Sequence, residues 1–393
     1  MDTKDRESKL YNRREFGALT LAGIPASLVL ANMPLSAFAE INSKFKGVQI
    51  GAITYSFRTM PDPNDIIKAF VTIGLGEMEL MSGDAEKLAG APQPPARGGG
   101  PGAAGGPAGA AVAPGASAAA PSAAGAAGAP SVGATGAPPA GAAAAVPATG
   151  GEGAGAGGRQ GGGQGRGRAP LTPEQQAAQD AYMKARDDWR KSATEATFRP
   201  VRKKIEDAGI QLRLLCYNLN VNSTKDDEIE YAFLMAKALG VKAISTSTQV
   251  SMAKRLAPFA EKHKLMVGFH GHANLTDPDE VAKPESFKAV MAVSKYLGAN
   301  LDIGHYTAAG YDPVAFIKEN HERITNLHLK DRKNPANGGT NVPWGEGDTP
   351  IKAVLQLLSQ QKYDIPANIE FEYQGDPMVE VAKSLQFCKE ALA

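Results

Sequence analysis

Leu265-Met266-Val267-Gly268-Phe269-His270-Gly271-His272 is the stretch on which the fold turns. Leu265–His270 is a short apolar run of the kind that forms a buried strand of a parallel sheet, and it ends in histidines. The form recurs downstream in Asn300–Ile303, which contains Asp302 and leads to His305. It recurs again in Ile324–Leu329, which contains His328 and leads to Lys330-Asp331, and in Ala367–Glu372, which ends on Glu370 and Glu372. Upstream, Val48–Phe57, Glu77–Leu80, Gln211–Tyr217 and Ala243–Ser247 are apolar runs without histidines, which brings the candidate strands to eight.

Amphipathic stretches separate them. Helices are predicted over Asn64–Ile73, in one long piece over Pro173–Ala208, and over Asp227–Leu239, Ser251–Lys264, Glu285–Leu297, Pro313–Asn320 and Ile351–Gln361. Pro377–Leu392 follows the last strand, and Gly209, Gly240 and Gly298 fall where helix C-caps are expected. Strand–helix alternation repeated eight times is the pattern of an α/β (β/α)8 TIM barrel, although a doubly wound sheet alternates too. From about residue 90 to 169 the chain turns to Gly, Ala and Pro. Such a segment buries too little apolar surface to offset its ordering entropy, so it is expected to be a disordered insertion after the second strand, an inert spacer. Without it and the leader, about 270 residues remain, a usual length for this barrel.

That leader spans residues 1–39. Asn12-Arg13-Arg14-Glu15-Phe16 precedes an apolar stretch from Gly17 to Leu30, and Ala37-Phe38-Ala39 offers a small-x-small cleavage site. The apolar part is short and broken by Gly23 and Pro25, unlike a membrane span. Paired arginines before Phe16 resemble a twin-arginine signal, so a periplasmic or otherwise exported protein is expected, with residues 40–393 as the mature barrel and no stable membrane association after cleavage. The 42 Lys and Arg nearly balance the 41 Asp and Glu, which leaves no electrostatic footprint for nucleic acid. Cys216 and Cys388 are too few and too far apart for a disulfide framework.

Catalytic groups of such barrels project from the C-terminal ends of the strands. Four of the six histidines fall at predicted strand ends, while His263 and His321 lie on charged helical stretches and read as surface residues. Imidazole and carboxylate groups at four successive strand ends converge when the barrel closes, which points to a shared divalent metal ion. Mixed nitrogen and oxygen ligands suit Mn, Zn, Co or Fe better than Ca. Asp302 and His305 also read as a local turn in which the carboxylate bonds the backbone.

Asp302-x-x-His305, Asn326-Leu327-His328-Leu329-Lys330-Asp331, Pro343-Trp344-Gly345-Glu346-Gly347 and the Glu370 strand end resemble the sugar phosphate isomerase/epimerase family, the xylose isomerase-like TIM barrels. Ile53-Thr54-Tyr55-Ser56 on the first strand and Glu79 on the second resemble it too. The likeness runs from Gly47 onward except for the insertion. It implies a metal held by a Glu, an Asp, a His and a Glu, of which Asp302, His328 and Glu370 match the last three. The first position departs from the pattern and carries His270 in place of Glu. His272 is an alternative ligand to His270, and Glu372 an alternative to Glu370.

By the resemblance the reaction removes a proton beside a sugar carbonyl. Glu370 or Glu372 is the preferred base, with His272 as competitor. His305 and Lys330 would position hydroxyls or return the proton, and Tyr55, Glu79 and Trp344 would shape the sugar pocket. Losing one carboxylate ligand weakens two-base epimerisation and favours isomerisation or β-elimination. Export points to a non-phosphorylated small carbohydrate as substrate. A non-catalytic carbohydrate-binding barrel is the main rival; an endonuclease and an adhesion protein fit less well. Oligomeric state stays open.

Overall fold

The computed structural model of the chain describes residues 41–95 and 171–393. The expected leader, and the expected insertion apart from residues 90–95, lie outside the described residues. The strands are β1 (Lys44–Phe45), β2 (Val48–Ile53), β3 (Glu77–Met81), β4 (Gln211–Cys216), β5 (Ala243–Thr246), β6 (Met266–His270), β7 (Leu297–Asp302), β8 (Ile324–Leu329) and β9 (Ala367–Ile369). From β2 to β9 every neighbouring pair is parallel, and β9 pairs back onto β2, closing an eight-stranded barrel. β1 folds back antiparallel on β2.

The helices are α1 (Pro63–Ile73), α2 (Ser82–Leu88), α3 (Pro173–Ser192), α4 (Glu195–Asp207), α5 (Asp226–Leu239), α6 (Ala253–His263), α7 (Pro284–Val293), α8 (Ile303–Ala308), α9 (Pro313–Asn320), α10 (Ile351–Gln361) and α11 (Pro377–Ala391). Three of them start alike. Asp62, Asp312 and Asp376 cap the backbone N–H groups of α1, α9 and α11, with proline as the first helical residue. The carboxylate meets orphan donors, and proline has no N–H to leave unmatched. Between barrel and helices lies the apolar core, with Phe57, Phe70, Phe198, Phe233, Phe269 and Phe287 fully buried. Among the described residues no helix is long and apolar enough to cross a membrane.

Several expected boundaries are corrected. The single helix over Pro173–Ala208 is two, because Ala193 is extended and Thr194 begins a new capped turn. The break lets α4 bury Phe198, Val201 and Ile205, whereas α3 buries none of its residues. Gly209 and Gly240 have the positive φ of helix ends, but Gly298 lies inside β7 and not at a C-cap. Its missing side chain answers a close approach: a Cβ there would stand 2.3 Å from the Arg323 carbonyl oxygen. Helix α7 therefore ends at Val293, short of the expected Leu297. Thr54–Phe57 leave the first strand as a turn of 3-10 helix, so Tyr55 stands above the strand and not on it. Helices α2 and α8 have no counterpart in the sequence reading.

Candidate metal centre

The strands carry polar side chains into a barrel interior that is usually filled by branched aliphatics. Glu77, Glu79, Ser245, Asn300, Asn326, His328 and Asn368 are all buried. At the C-terminal end His270, Asp302, His328 and Glu370 converge, with one donor atom from each lying within 4.8 Å of the others. Strand register explains the meeting, since Asp302 pairs directly with His328 across β7 and β8, and His270 pairs with Asn300. Glu370 follows β9, where its N–H still donates to the Leu329 carbonyl at 3.0 Å.

The local turn expected between Asp302 and His305 is present. Oδ1 accepts from the His305 N–H at 2.7 Å and caps α8, which leaves Oδ2 to face the cluster. His270 Nδ1, Asp302 Oδ2, His328 Nδ1 and Glu370 Oε2 are all buried without a hydrogen-bond partner. His328 Nδ1 lies 2.9 Å from Glu370 Oε2, and Lys330 faces the two carboxylates, whereas His270 Nδ1 has neither neighbour; a cation among the four would meet all of them at once. Lys330 Nζ lies 3.0 Å from Asp302, 2.9 Å from Glu370 and 2.6 Å from Glu372. Only the Glu372 contact among these is a hydrogen bond. One ammonium among three carboxylates leaves the negative charge that a divalent cation neutralises. Two imidazoles and two carboxylates are also a donor set that first-row divalent metals accept.

The electrostatics follow from burial and from these neighbours. Burial, with His328 and His272 adjacent, holds His270 well below the usual histidine range, so its imidazole is neutral. Burial raises Asp302 to about 6 despite Lys330 beside it. Burial acts against charge on His328, yet Glu79 and Glu370 on its two sides lift it well above the usual range. Lys330 is likewise held above its ordinary value by its carboxylates against the effect of burial. Burial would raise Glu370, but Lys330 and His328 pull it well down.

Not every predicted residue joins the cluster in the expected role. Glu79 is no pocket wall: it is fully buried beneath His328. Its Oε2 accepts from His328 Nε2 at 2.8 Å and from the Asn326 and Asn368 amides at 2.9 Å each, and its Oε1 accepts from the Ser245 hydroxyl. A carboxylate on one ring nitrogen fixes a histidine's orientation, here turning His328 Nδ1 toward Glu370 Oε2, 2.9 Å away. Half-buried Tyr55 stands at the mouth with Arg58 over its ring; burial first, then the charge of Glu372, raises its hydroxyl pKa. Trp344 packs edge-to-face on Phe387 of α11, with ring centroids 5.6 Å apart. Its loop is tied to the strand above His328 by Asp331, which accepts from the Gly345 and Gly347 N–H groups at 2.8 and 2.9 Å. His305 and His272 flank the cluster, with ring centroids 5.9 and 4.9 Å from His270.

Sequence reasoning missed Arg332, which donates to the His305 ring and to the Gly339 carbonyl. It also missed Ser247 and Glu280, which hold the two nitrogens of His272. Cys216 and Cys388 are buried free thiols whose pKa values burial raises.

A family model described as xylose isomerase-like TIM barrel matches residues 177–391. Among solved structures, the probable 3-DHS dehydratase AsbF of Bacillus anthracis is 13% identical; the match covers 86% of this chain and 98% of that one, with a TM-score of 0.49. A xylose isomerase domain protein from Planctomyces limnophilus is 18% identical over 50% of this chain and 82% of its own, at a TM-score of 0.40. The IolI protein with a zinc atom bound is 16% identical over 53% and 84%, also at 0.40. No curated protein matches the chain.

Proposed function

The chain belongs to the xylose isomerase-like TIM-barrel family, and on that premise we propose that it is an exported, metal-dependent enzyme that removes a proton beside the carbonyl of a non-phosphorylated sugar or keto-glycoside. The observation that carries this reading is the convergence of four buried donor atoms, from His270, Asp302, His328 and Glu370, at the C-terminal mouth of the barrel. A divalent ion there supplies Lewis acidity, which lowers the barrier to breaking a C–H bond next to a carbonyl.

The chain's own groups do the rest. Lys330 holds Glu370 and Glu372 in place and offers ammonium protons to sugar hydroxyls. Tyr55 lines the mouth. His270, standing where the family pattern has Glu, removes one of two opposed carboxylates, so the reaction runs from one face as isomerisation or β-elimination. The paired Arg13-Arg14 ahead of a short apolar stretch supports export, and with it a free or glycosidically linked sugar as substrate.

The test is deuterium exchange. Protein loaded with Mn²⁺ or Zn²⁺ is incubated in D₂O with a panel of ketoses and keto-glycosides and followed by proton NMR. Loss of the signal beside the carbonyl for at least one panel member, stopped by chelator, is the expected result. A fully metal-loaded protein that exchanges no panel member contradicts the proposal.

A further inference from the structure

One step out from the four-residue cluster, three side chains from separate elements form a line. Ser247 follows β5, His272 follows β6, and Glu280 lies in the loop that leads to α7. His272 Nδ1 is 2.6 Å from Glu280 Oε1, and His272 Nε2 is 3.0 Å from Ser247 Oγ. The side chains of His272 and Glu280 keep 29% and 20% of their exposure, so the imidazole is reachable from the mouth. Its ring centroid stands 4.9 Å from that of His270 and 5.4 Å from that of His305.

The loop that delivers Glu280 is pinned on both sides. His272 N–H donates to the Val281 carbonyl at 2.9 Å. The neighbouring Asp279 accepts from Ser251 N–H and Oγ at 2.7 and 2.6 Å. Ser247 is fixed by its own N–H, which donates to Asn218 Oδ1 at 2.9 Å. A carboxylate only accepts, so the nitrogen facing Glu280 must carry the hydrogen. The other nitrogen then takes its hydrogen bond from the serine hydroxyl. Nucleophile-or-substrate, imidazole and orienting carboxylate in this order are how a histidine is set up to receive a proton.

We propose that Glu280 is a positioning residue that fixes the tautomer and direction of His272, making Nε2 the proton-accepting atom of the site, with Ser247 Oγ holding that position until a substrate arrives. This rests on the proton-abstraction reading above. In the step, the C–H bond beside the carbonyl breaks, its proton passes to Nε2, and its electron pair forms a C=C bond as the carbonyl π pair moves onto oxygen. In isomerisation Nε2 returns the proton to the former carbonyl carbon while the hydroxyl proton passes from one oxygen to the other. In β-elimination the enolate re-forms the carbonyl, the bond to the oxygen substituent on the β carbon breaks, and the departing oxygen takes the proton from Nε2. Glu370 and Glu372, both held by Lys330, are then charge partners and not the base.

Tautomer and turnover are measured separately. In Zn²⁺-loaded protein with ¹⁵N-labelled histidine, the His272 ring is assigned by its loss in His272→Gln and read by long-range ¹H–¹⁵N correlation. The wild type shows hydrogen on Nδ1 and Nε2 as acceptor; Glu280→Ala shifts hydrogen to Nε2, and Glu280→Asp restores the wild-type pattern. With any panel sugar that exchanges, kcat in Glu280→Ala falls about 10²-fold or more while KM and zinc content stay near wild type. Hydrogen on Nε2 in the wild type, or an unchanged tautomer in Glu280→Ala, overturns the proposal. If no sugar exchanges, the abstraction reading falls while the tautomer result still decides the role of Glu280.

Discussion

The upper and lower layers of the barrel interior each contain a fully buried glutamate from β3, and the two are held in opposite ways. In the upper layer Glu79 accepts hydrogen bonds from His328, Asn326, Asn368 and Ser245. In the lower layer, two residues back on the same strand, neither carboxyl oxygen of Glu77 has a hydrogen-bond partner. Burial pushes Glu77 up to about 8, so it is a neutral acid at pH 7. The room for it comes from Gly51 on the neighbouring strand β2, where a Cβ would stand 1.7 Å from Glu77 Oε2 and 2.8 Å from Asn368 Oδ1. As a neutral acid Glu77 has a hydroxyl to offer Asn368 Oδ1, an acceptor that is otherwise unmatched. Four converging donors make Glu79 an anchor for His328; Glu77, as deeply buried but without them, keeps its proton.

The largest expected effect lies in the upper layer. Glu79→Gln replaces an acceptor by an amide among four donors, so Zn²⁺ or Mn²⁺ affinity measured by calorimetry should fall about 10- to 100-fold. Unchanged affinity would break the link between Glu79 and the metal site. The lower layer responds less, and through pH. The folded state binds the Glu77 proton more tightly than the unfolded chain does, so this residue's contribution to stability falls as pH rises from about 4.5 through about 8. Glu77→Gln, neutral at every pH, should stabilise the protein against urea by about 2–4 kcal/mol at pH 8 and by less than about 1 kcal/mol at pH 5. A gain independent of pH would show that Glu77 does not change its charge on unfolding.

The barrel was largely legible because its strands are short apolar runs ending in polar residues, as at Phe269-His270 and Leu301-Asp302. Histidines at three successive strand ends marked the cluster for the same reason. Height inside the barrel was not legible. Alternation along β3 puts Glu77 and Glu79 on one face, but the stagger between strands decides which of them meets His328. Glu79 was therefore read as a pocket wall. Glu280 was missed because it reaches His272 through a loop that folds back on itself, a path without periodicity. Gly298 was misread because a glycine after a helical stretch looks like a cap, whereas its cause, the Arg323 carbonyl, lies 25 residues on.

The proposed function stands or falls with a divalent metal ion held by His270, Asp302, His328 and Glu370. Elemental analysis of the protein, purified without added metal and again after loading with Mn²⁺, Zn²⁺, Co²⁺ or Fe²⁺, tests it beside a His328→Ala variant shown to be folded by circular dichroism. The expected result is about one equivalent of a first-row divalent metal in the wild type and none in the variant. A wild type that takes up no metal, or a His328→Ala variant that keeps a full equivalent, would contradict it.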